Sequence, residues 1–325
     1  MITRAFWATA PGQGCLQEVS LRAPEPNEVQ VRTTFSGVSR GTESLVFQGR
    51  VPVSQKQAMR CPHQDGSFSF PIKYGYITVG IVESKGELQG KSVFCLHPHQ
   101  EHLVVPKKDV VCLPDGLDPA RAVLAANMET AVNGVWDANP QSGESISVIG
   151  AGVVGALVAW RIRQSTGAPV QLIDRNARRA ELARLFDLDF SLPENAQGEQ
   201  NLIVHASGSS EGLRKALSLA APEGRIIEMS WFGDSEIALP LGGAFHSRRL
   251  TIRSSQVGQI SPRMREDWSY QRRMALALDL LKEHPVLDEL INEESLFSDL
   301  PKTMVRLTSG PSDVLCHRVV YEESN

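Results

Sequence analysis

The chain has 325 residues, 42% of them hydrophobic and 22% charged, with a net charge of −4, enough sequence for two buried cores of ordinary globular composition. Its basic residues form no long block, which argues against a nucleic-acid partner, and its longest apolar run, 146–160, is too short for a membrane span. The opening residues lack a basic flank and long apolar stretch, so no signal peptide is expected. Five scattered cysteines with no C-x-x-C are read as reduced thiols of a cytoplasmic protein.

Residues 1 to about 119 alternate strand-like runs (28–34, 80–83, 92–96, 103–105) with turns bearing proline and glycine, the pattern of a small barrel. Pro11, Pro24, Pro26, Pro52, Pro62 and Pro71 suit its loops and edges. Pro114-Asp115-Gly116 marks a turn, after which 119–135 is expected to be a helix leading into a second domain. There the pattern changes. Strands are expected at 146–149, 170–173, 201–206, 225–229 and 250–257. Helical segments lie between them, one stopping at Gly167 and others at 177–188 and 212–220. This alternation predicts a parallel, doubly wound α/β sheet with its ligand at the carboxyl ends of the strands. A long helix is expected at 264–281. The last stretch, 287–325, is too small to fold alone and should pack back on the first domain. The expected domains are therefore 1–119, completed by 285–325, and 120–284.

One stretch carries a specific chemistry. The run 146–149 is followed by Gly150-Ala151-Gly152-Val153-Val154-Gly155, a complete G-x-G-x-x-G, then by a helix and a second strand ending on Asp174. Gly150 permits a tight turn, Gly152 lets backbone approach a pyrophosphate, and Gly155 lets the helix pack on the strand. The helix N-terminus offers N–H groups and a positive dipole end to phosphates. Strand before, helix after and an acid at the end of the next strand form the setting in which this motif binds a dinucleotide. Asp174 would accept from ribose hydroxyls and repel a 2′-phosphate, favouring NAD over NADP, although Arg175 and Arg178 lie beside it.

In this order of parts the chain resembles the medium-chain dehydrogenase/reductase superfamily of the zinc alcohol dehydrogenase type. The resemblance covers nearly the whole chain. It rests on 36–43 (SGVSRGTE), 71–76 (PIKYGY) before Val79-Gly80, 90–93 (GKSV), 113–116 (LPDG), the glycine motif and 205–208 (HASG). The SRGTE segment is most similar to the bacteriochlorophyllide dehydrogenase branch. The resemblance implies a Rossmann domain plus a GroES-like barrel, and NAD(P)-dependent hydride transfer between an alcohol and a carbonyl, or to an activated double bond. It also implies a homodimer, with 250–257 as a candidate edge. The family holds its catalytic zinc with a cysteine in the first motif, a histidine after the glycine of the second, and a cysteine or acid at the start of the linking helix. Those positions here carry Ser39, Tyr76 and a residue within 126–129, and the family's four-cysteine lobe is absent. A hydroxyl and a phenol do not make a thiolate/imidazole site, so a zinc-free member is expected.

Without a metal, a hydrogen-bond donor must meet the substrate oxygen and move a proton. The candidates are Tyr76, Thr42, Ser39 and His97, with Glu129 as a polar lid to the pocket. The plain alternatives are a packed tyrosine, a turn-stabilising threonine and a helix-surface acid. Arg40 matches an arginine that contacts the pyrophosphate in some relatives, and Val154 a residue that presses on their nicotinamide ring. Ser207 sits in a strand-end turn expected to face the cofactor. The cluster Cys95, His97, His99 and His102 matches no established zinc spacing; substrate-facing or exposed histidines and no metal site are expected. Two other functions stay open: a catalytically silent NAD(H)-binding sensor or scaffold, and a metal-dependent dehydrogenase using the His97/His99 cluster. In each enzymatic case the partner is a small-molecule substrate.

Overall fold

The computed structural model describes residues 1–310 and 312–322. The chain divides into two compact units, one of Met1–Ala126 with Met274–Asn325, the other of Asn127–Arg273.

The first unit opens with a hairpin, β1 (Ile2–Ala10) and β2 (Gln13–Ser20), closed by Pro11-Gly12, with Gly12 at φ +70°. There follow β3 (Glu28–Val38), α1 (Arg40–Phe47), the short β4 (Asp65–Gly66) and β5 (Ile72–Lys73), β6 (Thr78–Val82), β7 (Ser92–Cys95), β8 (His102–Pro106) and β9 (Val110–Cys112). Alternating burial along β3 and β8 turns Val29, Val31, Leu103 and Val105 inward, where they meet Val82, Val93 and Val110. Gly80 serves this closure: a side chain there would come within 2.3 Å of the Arg32 carbonyl oxygen on the paired strand.

The helix expected at 119–135 forms as a 3₁₀ turn running into α2 (Ala125–Ala138). The second unit continues through β10 (Ile146–Ile149), α3 (Val153–Thr166), β11 (Val170–Ile173), α4 (Arg179–Leu185), β12 (Asp189–Ser191), β13 (Gln200–His205), α5 (Ser210–Leu219), β14 (Ala220–Glu228) and β15 (Thr251–Ser254). Its sheet is parallel in the order β12–β11–β10–β13–β14–β15, a doubly wound arrangement as expected. Apolar β13 and α5 supply its core through Ile203, Leu213, Ala216 and Leu217, packed with Ile149, Ile173 and Ile226. Helix α3 ends on Gly167, which is left-handed at φ +68°.

The chain closes with α6 (Tyr270–Glu283), β16 (Ile291–Leu296), α7 (Leu300–Thr308) and β17 (Cys316–Val320). α6 begins later than the expected 264, because the Ser269 hydroxyl accepts the Arg272 N–H and stops the helix there. β17 pairs antiparallel with β3, extending the sheet β16–β17–β3–β6–β7–β9 of the first unit.

Candidate active site

In the parallel sheet the strand order reverses between β10 and β13. At such a switch point the connections leave in opposite directions and a crevice opens at the carboxyl ends of the strands. Two turns border it, one leaving β10 through the glycine motif and one leaving β13 through Ala206-Ser207-Gly208. They interlock. Gly150 has φ +104°, and a side chain on it would lie 2.7 Å from the Ser207 nitrogen and Cα. A side chain on Gly155 would lie 1.8 Å from the Gly150 carbonyl oxygen, so only glycine lets α3 seat on β10. Gly152 is the N-cap residue of α3, with open space around it and no side chain capping the first turn. The N–H groups of that turn can therefore serve an anion.

Asp174 ends β11, and its half-buried carboxylate braces this turn. Oδ2 accepts the Ala151 N–H at 2.7 Å and Oδ1 accepts the Asn176 N–H at 2.8 Å. Arg175 beside it is exposed, and Val154 is half-buried in the first turn of α3. Ser207 is exposed, with its hydroxyl 2.6 Å from Nε2 of buried His205. These residues can hold a dinucleotide: a pyrophosphate on the α3 N-terminus and ribose hydroxyls on Asp174.

In the first unit, Ser39 sits between β3 and α1, Thr42 lies in the first turn of α1, and Tyr76 comes from the segment between β5 and β6. The Ser39 and Thr42 hydroxyls are the neighbours of the Tyr76 phenol that offset part of its shift. Burial, reinforced by the neighbouring Glu43 carboxylate, raises the phenol well above its ordinary value of 10. It stays protonated, while the Ser39 and Thr42 hydroxyls, which favour the ionised form, act on its oxygen as donors. Beneath this cluster runs a polar chain that the sequence did not reveal. Glu43, 2% exposed, accepts the Ser39 N–H at 2.7 Å through Oε1 and lies 2.9 Å from His99 Nε2 through Oε2. His99 Nδ1 lies 2.7 Å from Ser36 Oγ, which is 3.1 Å from the Tyr321 hydroxyl. Ser39 and Glu43 stand four apart rather than at the three-residue spacing of a capping box, so the sequence carried no signal for this contact.

Several expectations need correction. His97 and His99 are buried, at 5% and 1% exposure, rather than exposed. His97 Nδ1 lies 2.8 Å from the Pro98 carbonyl oxygen, and burial pushes the ring down to about 3. A ring that is neutral at pH 7 is a poor general acid, which removes His97 from the proton donors. Glu129 is neither a lid nor a surface acid: it is buried and paired with buried Arg273 at 3.1 Å. Arg273 also donates to Asn133 Oδ1 at 2.6 Å and to the Val257 carbonyl at 2.7 Å. Arg273→Met should therefore cost about 3–5 kcal/mol by stranding Glu129 in the core. Burial already raises the Glu129 pKa, so the stranded acid protonates on acidification and the deficit in chemical denaturation should shrink toward low pH. Arg40 is half-buried and donates to the Ser312 carbonyl at 3.1 Å, tying α1 to the segment before β17.

The zinc of the resembled family does not fit these residues. Glu129 is held by Arg273, and the set Ser39, Tyr76 and Glu129 lacks the thiolate and imidazole that zinc selects. Among the described residues no group of three His, Cys, Asp or Glu side chains is arranged to hold a metal ion.

Comparison with known proteins agrees with this architecture. Residues 146–219 match the ketopantoate reductase PanE/ApbA family, a match confined to the start of the parallel sheet. Over 331 aligned residues the chain is 25% identical to D-guloside 3-dehydrogenase of Escherichia coli, covering 92% of this chain and 94% of that protein. It is 24% identical to 2-desacetyl-2-hydroxyethyl bacteriochlorophyllide A dehydrogenase of Cereibacter sphaeroides, covering 75% and 79%. The chain belongs to the medium-chain dehydrogenase/reductase superfamily. The same fold is seen in a solved alcohol dehydrogenase of Escherichia coli complexed with NADH, with a TM-score of 0.76, 17% identity and 98% and 99% of the chains covered. A zinc-binding-type dehydrogenase of Sinorhizobium meliloti bound to NADP gives the same TM-score, identity and coverage. As a medium-chain dehydrogenase the chain is an oxidoreductase. No described helix is long and apolar enough to cross a membrane.

Proposed function

We propose that this chain is an NAD(P)-dependent oxidoreductase that transfers hydride between nicotinamide and an alcohol/carbonyl pair without zinc. One observation carries the proposal: Gly150 and Gly155 interlock with Ser207 and with each other while Asp174 braces the turn, leaving the α3 N-terminus shaped for a pyrophosphate. The relatives support it, since one is a sugar-derivative dehydrogenase and the two solved structures hold NADH and NADP. A hydroxyl-bearing, sugar-like substrate is the favoured class. Asp174 favours NAD over NADP through its carboxylate, and exposed Arg175 and Arg178 weaken that preference.

The bound dinucleotide supplies the hydride. Tyr76 donates a hydrogen bond, and during reduction its proton, to the substrate oxygen. Thr42 and Ser39 orient the phenol and relay a proton from solvent back to it, each hydroxyl giving up one proton as it takes another. Burial, with the Glu43 carboxylate nearby, keeps the phenol protonated beforehand. Gly150, Gly152 and Gly155 admit the pyrophosphate, Val154 packs beside the nicotinamide, and the Ser207 backbone walls the turn. The protein acts as a cytoplasmic homodimer, joined along the exposed edge that β15 offers.

The test is NADH oxidation by chelator-treated protein against a panel of keto sugars and simple ketones. Turnover that zinc does not raise is expected. Activity that appears only with added zinc contradicts the hydroxyl mechanism, and NADH binding with no turnover on any carbonyl favours the silent binder.

A further inference from the structure

The segment that carries Tyr76 carries a second phenol that the proton transfer does not use. Tyr74 and Tyr76 flank Gly75, and their rings meet edge to face with centroids 6.1 Å apart. Tyr74 also packs on buried Phe68, at 5.7 Å between centroids. Gly75 has φ +141°, and a side chain there would come within 3.1 Å of the His99 ring and 3.3 Å of Pro98. Glycine thus lets the segment lie against the Glu43–His99 pair, and both tyrosines hang from a backbone that the core holds in place. Tyr74 is 8% exposed, its oxygen keeps an opening to free space, and no described residue bonds its hydroxyl. Its polar neighbours are committed elsewhere. Glu43 accepts the Ser39 N–H and lies against His99, and the Cys61 thiol stands beside the Gly75 N–H. Burial pushes that thiol up to about 12, so it stays neutral. Burial also raises the Tyr74 phenol, with Tyr76, Cys61 and Glu43 acting in the same sense, so its proton stays on.

We propose that Tyr74 is a specificity-determining residue, donating a hydrogen bond to a second substrate oxygen beside the one that Tyr76 serves. The assignment rests on the hydride-transfer reading of the site. Its logic is one of an unmet hydrogen bond. A buried phenol left unpaired is costly, and buried tyrosines ordinarily find a partner. Here the described residues supply none, so the partner comes with the ligand. Tyr74 and Tyr76 feel the same two groups, Glu43 and Cys61, which puts both hydroxyls in one neighbourhood. Two donors on one short segment suit two adjacent oxygens, as in a hydroxyketone or a vicinal diol. Phe68 and the Tyr76 ring fix the Tyr74 ring from two sides, so this donor is oriented before the substrate arrives. A ketone without the neighbouring oxygen leaves the Tyr74 hydroxyl unpaired, and the discrimination arises there. A ring that only fills space would make its oxygen dispensable.

The test reads a ratio, in which uniform damage to the site cancels. Wild type should show a higher kcat/KM for 3-hydroxy-2-butanone than for 2-butanone, two ketones that differ by one hydroxyl beside the carbonyl. Tyr74→Phe keeps the ring and deletes the hydroxyl. In that variant the ratio should fall about tenfold, the loss for one hydrogen bond no longer made. Tyr76→Phe should lower both rates and hold the ratio within threefold of wild type, because the oxygen it serves is common to both ketones. A ratio within threefold of wild type in Tyr74→Phe would overturn the assignment. So would a wild type that does not favour the hydroxyketone, or that reduces neither of the pair while reducing other ketones. Wild type that binds NADH and reduces no ketone at all would instead overturn the hydride-transfer reading, and this assignment with it.

Discussion

Gly155→Ala is expected to bind NADH about a hundredfold more weakly than wild type, a loss of about 2.7 kcal/mol. A β-carbon there would lie 1.8 Å from the Gly150 carbonyl oxygen, so α3 must retreat from β10 or the turn must open. Neither movement is local. Gly150 already has Ser207 backbone at 2.7 Å on its other side, and the Ala151 N–H is held by Asp174. Overpacking of this kind costs about 1–3 kcal/mol in itself, and displaced N–H donors at the helix head add to the loss. Gly152→Ala is the internal control, since nothing lies within 4 Å of the added carbon in the ligand-free turn. It should leave the thermal midpoint unchanged, whereas Gly155→Ala should lower it. Titration by NADH fluorescence reads the effect, and an affinity within threefold of wild type for Gly155→Ala would contradict the account.

The second large effect concerns the hydroxyl cluster. Tyr76→Phe should lower kcat about 10²–10⁴-fold, the range for losing a positioned acid, while NADH affinity and stability stay near wild type. Thr42→Ala and Ser39→Ala should lower kcat less, because each removes only one of the two side chains that hold the phenol. The Tyr76 pKa is raised above its usual 10, so its ionisation should put no falling limb on the rate profile below pH 10. A Tyr76→Phe enzyme within threefold of wild-type kcat would assign the proton to another group.

What the sequence disclosed was what local geometry decides. Gly150, Gly155, Gly167 and Asp174 could be placed because each answers a backbone constraint within a few positions, and strands 146–149 and 170–173 are the observed β10 and β11. The hairpin of β1 and β2 was not singled out, since β2 is mostly solvent-facing and lacks an apolar alternation. β12 went unread for a similar reason: it is a three-residue edge strand with no buried position. Charged and polar side chains were harder still. Glu129 finds Arg273 144 positions later, and His99 finds Glu43 56 positions earlier, so sequence spacing alone foretold neither partner. The same distance dependence hid the neutral state of His97, which burial sets and its motif does not.

The most direct test of the central claim is calorimetric titration of the purified chain with NADH and, separately, NADPH. The account predicts saturable binding at one site per chain, with NADH the tighter ligand because the Asp174 carboxylate accepts ribose hydroxyls and repels a 2′-phosphate. Tighter binding of NADPH would transfer the specificity to Arg175 and Arg178. Failure of both nucleotides to bind would contradict the account at its foundation.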